Sequence, residues 1–438
     1  MDITIEKLIY GGEGLAHYDG ATVFVPFVLP EERIAATEVE RKKKFVRARV
    51  ERLLQPSPQR TLPRCPHFGI CGGCDYQHIP YEAQLQYKES ILRETLRRLG
   101  RIDWTGEITV HPSPPWGYRN RAQWKIRAEA GAPNGSVGEG TSMALGYLRA
   151  GSSALCAISE CAVLSPLLAK TMLSLRRAVA TGALAGTLRE IEAVADSNDE
   201  NLLLTATFAK FPSRAAAEQI ETLRKAAPEA KSILLQDATG ERMELDGPGY
   251  ITWATDDASY RIGHFSFFQV NRFLAGELAL HAAGHRSAVQ NDENPNALAL
   301  DLFAGVGLFT LPLAKRFGRV VTVESNPAAV RDLEGNARAV TNVETRLSDV
   351  DTFLARYKGR PDLVLLDPPR AGVSPEAAKH LVRIAPARIT YVSCEPPTLA
   401  RDLATLIEGG YEVEAVHLFD LFPQTFHMET IVHLRRKR

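Results

Sequence analysis

The chain has 438 residues, 45% hydrophobic and 24% charged, with 52 basic and 52 acidic side chains and a formal net charge of zero. That composition excludes a disordered, collagenous or strongly polybasic protein, and the length exceeds what one core fills, so roughly two to four domains are expected. No window approaches about 18 uninterrupted apolar residues, which excludes a membrane-spanning helix, and residues 1–6 lack the basic, apolar character of an export signal, so a cytoplasmic protein is expected.

Residues 1–58 read as all-β. Residues 3–8 alternate as a strand, Tyr10-Gly11-Gly12-Glu13-Gly14 is a turn, residues 21–28 form a strand, and residues 34–50 supply more. Short strands punctuated by Gly and Pro predict a small barrel of the OB type, a fold that often carries oligonucleotides. Residues 41–52 hold seven Lys/Arg against one Glu, and the chain ends Arg435-Arg436-Lys437-Arg438. Local basic patches make phosphate contacts even where whole-chain charge is zero; a solvated basic face is the bland alternative. Gln55-Pro56-Ser57-Pro58 reads as a linker.

The six cysteines are Cys65, Cys71, Cys74, Cys156, Cys161 and Cys394. Disulfides are not expected without export. Three of these cysteines cluster, and the set needs one more ligand, with Cys156 and Cys161 the candidates. Zinc sites usually pair two short Cys or His units. One tight pair plus an outlier suits an iron–sulfur cluster better.

Residues 81–99 have the period of an amphipathic helix, closed by Gly100. Strands are expected at 123–128 and 202–208, a helix at 167–180, and a loop at Gly131-Ala132-Pro133-Asn134-Gly135-Ser136. From about 259 the pattern becomes a regular β-α alternation. Near-continuous apolar runs at 297–303, 320–324, 363–367 and 389–393 predict buried parallel strands of a doubly wound sheet, with ligands at their C-terminal ends.

Gly263-His264-Phe265-Ser266-Phe267-Phe268-Gln269-Val270-Asn271 sets aromatics beside amides. Such residues can stack bases and read their edges, although composition alone favours a core-facing strand. Asp301-Leu302-Phe303-Ala304-Gly305-Val306-Gly307 follows a strand and opens a helix, so its glycines let a ligand approach the backbone. Its Gly-x-Gly lacks the third glycine of the dinucleotide motif. Glu324 ends the next strand about 17 residues beyond Gly307. A carboxylate there accepts from ribose hydroxyls and repels a 2′-phosphate, which suits S-adenosylmethionine. Asp367-Pro368-Pro369-Arg370 sets a carboxylate and turned carbonyls at the crevice mouth. Tyr391-Val392-Ser393-Cys394-Glu395-Pro396-Pro397 presents a thiol at a strand end, where it can serve as a nucleophile or as a small buried hydrophobe.

Together these segments resemble the S-adenosylmethionine-dependent RNA (uracil-5-)-methyltransferases, and most of all the branch with a TRAM domain and a [4Fe-4S] cluster that acts on 23S rRNA. The resemblance covers nearly the whole chain. It rests on Phe267-Phe268-Gln269-Val270-Asn271, the 301–307 loop, Asp367-Pro368-Pro369-Arg370, Ser393-Cys394 with Thr398-Leu399-Ala400-Arg401-Asp402-Leu403, and His427-Met428-Glu429-Thr430-Ile431-Val432. It implies a Rossmann-like catalytic domain at 259–438, a TRAM barrel at 1–58 and a central α+β iron–sulfur domain at 59–258, whose segment near 80–110 is an expected partner of the catalytic domain. By the same resemblance Cys394 is the nucleophile and Glu429 the base. Gln269, Phe303, Glu324, Asp349 and Asp367 match cofactor-binding positions, and Cys65, Cys71, Cys74 and Cys161 match cluster ligands, leaving Cys156 spare. Glu395 departs from the family, which usually has Asn after the nucleophile. The implied partner is RNA, ribosomal rather than transfer, met by a monomer. A tRNA T-loop methyltransferase and a non-catalytic iron–sulfur RNA-binding protein are the alternatives.

Overall fold

The computed structural model describes residues 1–128, 143–284 and 296–437; the loop expected at 131–136 and the terminal Arg438 lie outside them. The first 55 residues form a six-stranded sheet in the order Asp2–Thr4, Arg33–Arg41, Phe45–Gln55, Ala21–Pro26, Glu13–Tyr18, Lys7–Leu8. The strand expected at 3–8 is thus two strands. The physical reason is a change of partner: Ile5 N donates to the Glu32 carbonyl at 2.9 Å, whereas Glu6 N donates to the Leu15 carbonyl at 2.8 Å. The two edges of the sheet are joined through these residues around a core of Ile3, Ile5, Val23, Val25, Ile34 and Val46.

A seven-stranded sheet follows, in the order Leu155–Ala157, Met143–Leu148, Arg121–Ala128, Leu188–Ala195, Leu202–Phe208, Ala230–Asp237, Met243–Asp246. Helix Pro166–Ala180 packs on it, capped by Ser165, whose hydroxyl accepts from Leu168 N. Strands Tyr250–Ala254 and Ser259–Gly263 form a separate hairpin. The strand–helix alternation begins at Ser259–Gly263 and helix Ala275–Ala282, as expected, but the parallel sheet itself starts at Leu298.

The largest sheet has eight strands in the order Val343–Leu347, Arg319–Glu324, Leu298–Leu302, Leu363–Leu366, Arg388–Ser393, Glu429–Arg436, Tyr411–Phe419, Ile108–His111. The first five are parallel and Glu429–Arg436 runs against them. Their side chains alternate between two cores. Leu300, Leu302, Val364 and Leu366 belong to one, and Ala299, Leu363 and Leu365 to the other. Burial on both faces is why these strands read as unbroken apolar runs.

Helix Tyr81–Gly100 lies on this sheet beside helix Pro396–Glu408. Gly100 is the last residue of the helix, and Arg101 takes the left-handed cap at φ 54°. The glycine answers to packing, because a Cβ there would stand 2.8 Å from the Ala400 carbonyl oxygen.

Candidate active site

Sheet order sets the site. Ligands of a doubly wound sheet bind where strand order reverses, here between Leu298–Leu302 and Leu363–Leu366, whose last residues Leu302 and Leu366 are paired. Phe303 and Asp367 follow directly on these strands. Glu324 ends the strand on the Phe303 side, and Cys394 follows the strand on the Asp367 side. Ser393 pairs with Thr430 in the antiparallel step. One residue further, that register sets Cys394 opposite Glu429. Glu324, Phe303, Asp367, Cys394 and Glu429 therefore occupy five successive strands along one sheet edge, about 4.8 Å per step.

The glycine loop is shaped for close approach. Phe303 has φ 63°, Gly305 φ 55° and Gly307 φ 92°. A left-handed phenylalanine is a strained conformer of the kind that collects at ligand sites. A Cβ on Gly305 would meet nothing within 4 Å, so the space beyond it is open. Glu324 braces the loop: Gly305 N donates to its Oε2 at 2.9 Å, and Asn326 N to its Oε1 at 2.7 Å. Asp349 is exposed and accepts from Thr352 N at 2.8 Å as the N-cap of Val350–Arg356, which holds its carboxyl below the usual range.

Three carboxyl groups share the centre. Asp301 is fully buried and accepts from the Thr310 hydroxyl at 2.5 Å. Its other oxygen is buried with no partner among the described residues, and burial pushes it up to about 7. Burial, and then the Asp301 charge, raise Asp367 as well. Glu429 is 3% exposed, and its carboxyl is driven far above the ordinary range by burial and then by Asp367. Beside them the partly exposed Cys394 thiol is pushed up to about 12 by burial, then by Glu429 and Asp367, while Arg370 favours its thiolate. A negative charge forms at this centre only at the expense of its neighbours.

Cys65, Cys71, Cys74 and Cys161 line a single cavity of about 260 Å³, together with Arg370 and His427. Cys156 does not line it and is buried in the core of the central sheet. Burial raises all four thiols. Backbone N–H groups of His67 and Phe68 face Cys65, that of Gly73 faces Cys71, and those of Val163 and Leu164 face Cys161. Soft donors in one enclosed space, with amides directed at the sulfurs, suit an iron–sulfur cluster.

Gln269 is buried, and its carbonyl accepts from Asn120 Nδ2 at 3.3 Å. Its stretch is not the core-facing strand expected from composition. The strand ends at Gly263, and Phe265 and Phe267 are 46% and 60% exposed. The Phe265 carbonyl accepts from Asn326 Nδ2 at 3.1 Å, which brings the segment beside the Glu324 loop. Sequence reasoning gave no role to Asp301, Arg370 or Tyr10. Asp301 carried a signal, since an acid inside a fully apolar strand is costly unless it has a task. Tyr10 carried none; it reaches Glu395 across 385 residues of sequence.

The model of the tRNA (uracil-5-)-methyltransferase family matches residues 80–437. The 23S rRNA (uracil(1939)-C(5))-methyltransferase RlmD of Klebsiella pneumoniae (strain 342) is 34% identical over 443 residues, covering 100% of this chain and 96% of that protein. The enzyme of the same name from Salmonella paratyphi A is 34% identical over 449 residues, with the same coverage. Among solved structures, the tRNA (uracil-54, C5)-methyltransferase of Pyrococcus abyssi in complex with S-adenosyl-L-homocysteine aligns with TM-score 0.75 and 26% identity, over 99% of this chain and 100% of that one. A doubly wound sheet with a cofactor-type glycine loop, and alignments that run nearly end to end, lead to one conclusion: the chain belongs to the S-adenosylmethionine-dependent tRNA (uracil-5-)-methyltransferase family.

Proposed function

We propose that this enzyme methylates C5 of one uridine in 23S rRNA, using Cys394 as nucleophile and Glu429 as base. The observation that carries the reading is their register, opposite each other on adjacent strands, two and three strand steps from the glycine loop. Full-length relatives acting on 23S rRNA, at 34% identity, favour the ribosomal substrate. The structural likeness to a tRNA enzyme favours a T-loop uridine as the second reading. Mapping 5-methyluridine in 23S rRNA and tRNA from a deletion strain decides between them. Loss of a single ribosomal site supports the first reading, and loss in tRNA overturns it.

C5 of uracil is a weak nucleophile. Addition of the Cys394 thiolate to C6 moves the ring electrons into an enolate, which makes C5 reactive. Bound S-adenosylmethionine supplies the electrophilic methyl group. Glu324 would accept from the ribose hydroxyls of the bound cofactor, and Gln269, Phe303, Asp349 and Asp367 would complete its site. Glu429 then takes the C5 proton, the C5–H electrons re-form the double bond, and Cys394 leaves C6. Burial makes Glu429 a stronger base than an exposed carboxylate, provided it starts ionised, and Arg370 favours that charge. The target base must leave its stack to enter, and exposed Phe267 offers a face for a neighbouring base.

The chain divides into a TRAM-type RNA-binding barrel at 1–58, a central iron–sulfur domain at 59–258 and the methyltransferase domain at 259–438, acting as a cytoplasmic monomer. The proposed cluster ligands are Cys65, Cys71, Cys74 and Cys161. Anaerobically purified protein should be brown, with iron and sulfide in step. Cys161→Ser should lose that iron, and Cys156→Ser should keep it. Zinc without sulfide, or the reverse behaviour of the two variants, overturns this assignment.

The basic strip supports RNA binding by the barrel. Lys42, Lys43 and Lys44 are exposed at the turn between Arg33–Arg41 and Phe45–Gln55. Lys42 already pairs with Glu40 at 2.7 Å. Neutralising all three should weaken RNA binding and flatten its salt slope by about 2, below the ~3 of three unpaired cations. An unchanged slope would make the strip a solvated face.

A further inference from the structure

The residue after the nucleophile is a glutamate, and a carboxylate beside a thiol opposes thiolate formation. Its side chain is held from another part of the molecule. Tyr10, in the turn between Lys7–Leu8 and Glu13–Tyr18, donates its hydroxyl to Glu395 Oε2 at 3.0 Å. The ring stands edge-on to Phe426, centroids 5.4 Å apart, and Phe426 packs on His427 at 4.1 Å, two residues before Glu429. Asp75 accepts from Phe426 N at 3.4 Å, so this contact is braced on its far side. One tyrosine of the N-terminal sheet thus touches both loops that carry the reacting groups. The Glu395 backbone is fixed separately, since its N–H donates to Ser393 Oγ at 3.1 Å and its carbonyl accepts from Thr398 Oγ1 at 3.0 Å.

We propose that Tyr10 is a positioning residue that holds the Glu395 carboxylate away from the Cys394 sulfur and so keeps the thiolate accessible. The inference rests on Cys394 being the nucleophile. The groups facing that thiol are Glu429 from the antiparallel strand, Asp367 and Arg370 from the neighbouring strand end, Glu395 beside it and Tyr10 from the N-terminal sheet. Glu395 is next in the chain, yet Glu429 and Asp367 oppose the thiolate more strongly. That order is what a tethered carboxylate predicts. Without the tether, Glu395 is free to turn toward the sulfur and to join the other two carboxyls in opposing its charge.

The test is alkylation of Cys394 by iodoacetamide in the full-length protein, followed by mass spectrometry across a pH series. Tyr10→Phe keeps the ring packing and removes the hydroxyl. It should slow Cys394 alkylation at least ~3-fold at fixed pH, equivalent to an upward shift of about half a pH unit. In a Glu395→Gln background the same change should have no effect, because no carboxylate remains to be restrained. An unchanged or faster rate in Tyr10→Phe, or equal slowing in both backgrounds, overturns the proposal. If Tyr10→Phe does not fold, Glu395→Asn decides by itself: removing a well-held carboxylate should change the rate less than ~3-fold, and a larger acceleration overturns the tether. Methyl transfer by Cys394→Ala is scored separately. Its survival would reject the nucleophile and leave the alkylation result standing.

Discussion

Cys394→Ala should lower methyl transfer to RNA by roughly four orders of magnitude or more, the scale at which loss of a nucleophile is felt. Without addition at C6, no electron density reaches C5 and the methyl group has no acceptor. Affinity for S-adenosylhomocysteine should stay near that of the parent protein, because the residues around the glycine loop sit two strands away. Calorimetric titration checks the second expectation and transfer of labelled methyl the first. Activity above a hundredth of the parent's would mean that C5 is activated without the thiol. The free protein adds a pH signature. With the thiol pushed up to about 12, the thiolate is a trace species at neutrality. Cys394 alkylation should therefore rise about tenfold per pH unit from about 7 to about 10. A plateau below about 9 would show that Arg370 outweighs burial and the three carboxylates.

The part of the fold legible in the sequence is the part governed by local rules. The parallel strands at 298–302 and 363–366 were readable because burial on both faces leaves an unbroken apolar run. Glu324 and the glycine loop were readable because a strand, a turn and an acid recur at fixed spacing. What escaped depends on contacts that no window contains. Residues 3–8 alternate like one strand, but the chain changes partner at Ile5 and Glu6. Gly100 does end its helix, as expected, but the close approach to Ala400 that requires a glycine there shows in no local pattern. The edge strand Ile108–His111 joins the large sheet beside Tyr411–Phe419 across some 300 residues. Within the site, motif resemblance supplied Cys394 and Glu429 as separate positions. Their opposition emerges only from the strand register. The same holds for Tyr10 and Glu395, which no pattern within either segment connects.

Glu429→Gln should stop the reaction one step later. The amide keeps the size of the side chain and can still donate a hydrogen bond, but it cannot take the C5 proton. Addition of Cys394 and methyl transfer go forward, elimination does not, and protein becomes covalently joined to RNA. The adduct should appear as a slow band in denaturing electrophoresis, require S-adenosylmethionine for its methylated form, and vanish in Cys394→Ala, Glu429→Gln. Steady turnover should fall by at least ~10²-fold, the lower end of what a positioned base contributes. Glu429 opposes the Cys394 thiolate more than any other charge in the site, so its neutralisation should also make the thiol easier to ionise. Cys394 alkylation in the free variant should then be faster than in the parent at the same pH. Faster alkylation together with a stalled adduct separates loss of the base from general damage to the site, since a misfolded loop would slow both addition and elimination. Near-normal turnover would mean that another group or a bound water removes the proton, and unchanged alkylation would mean that Glu429 is already neutral in the free protein.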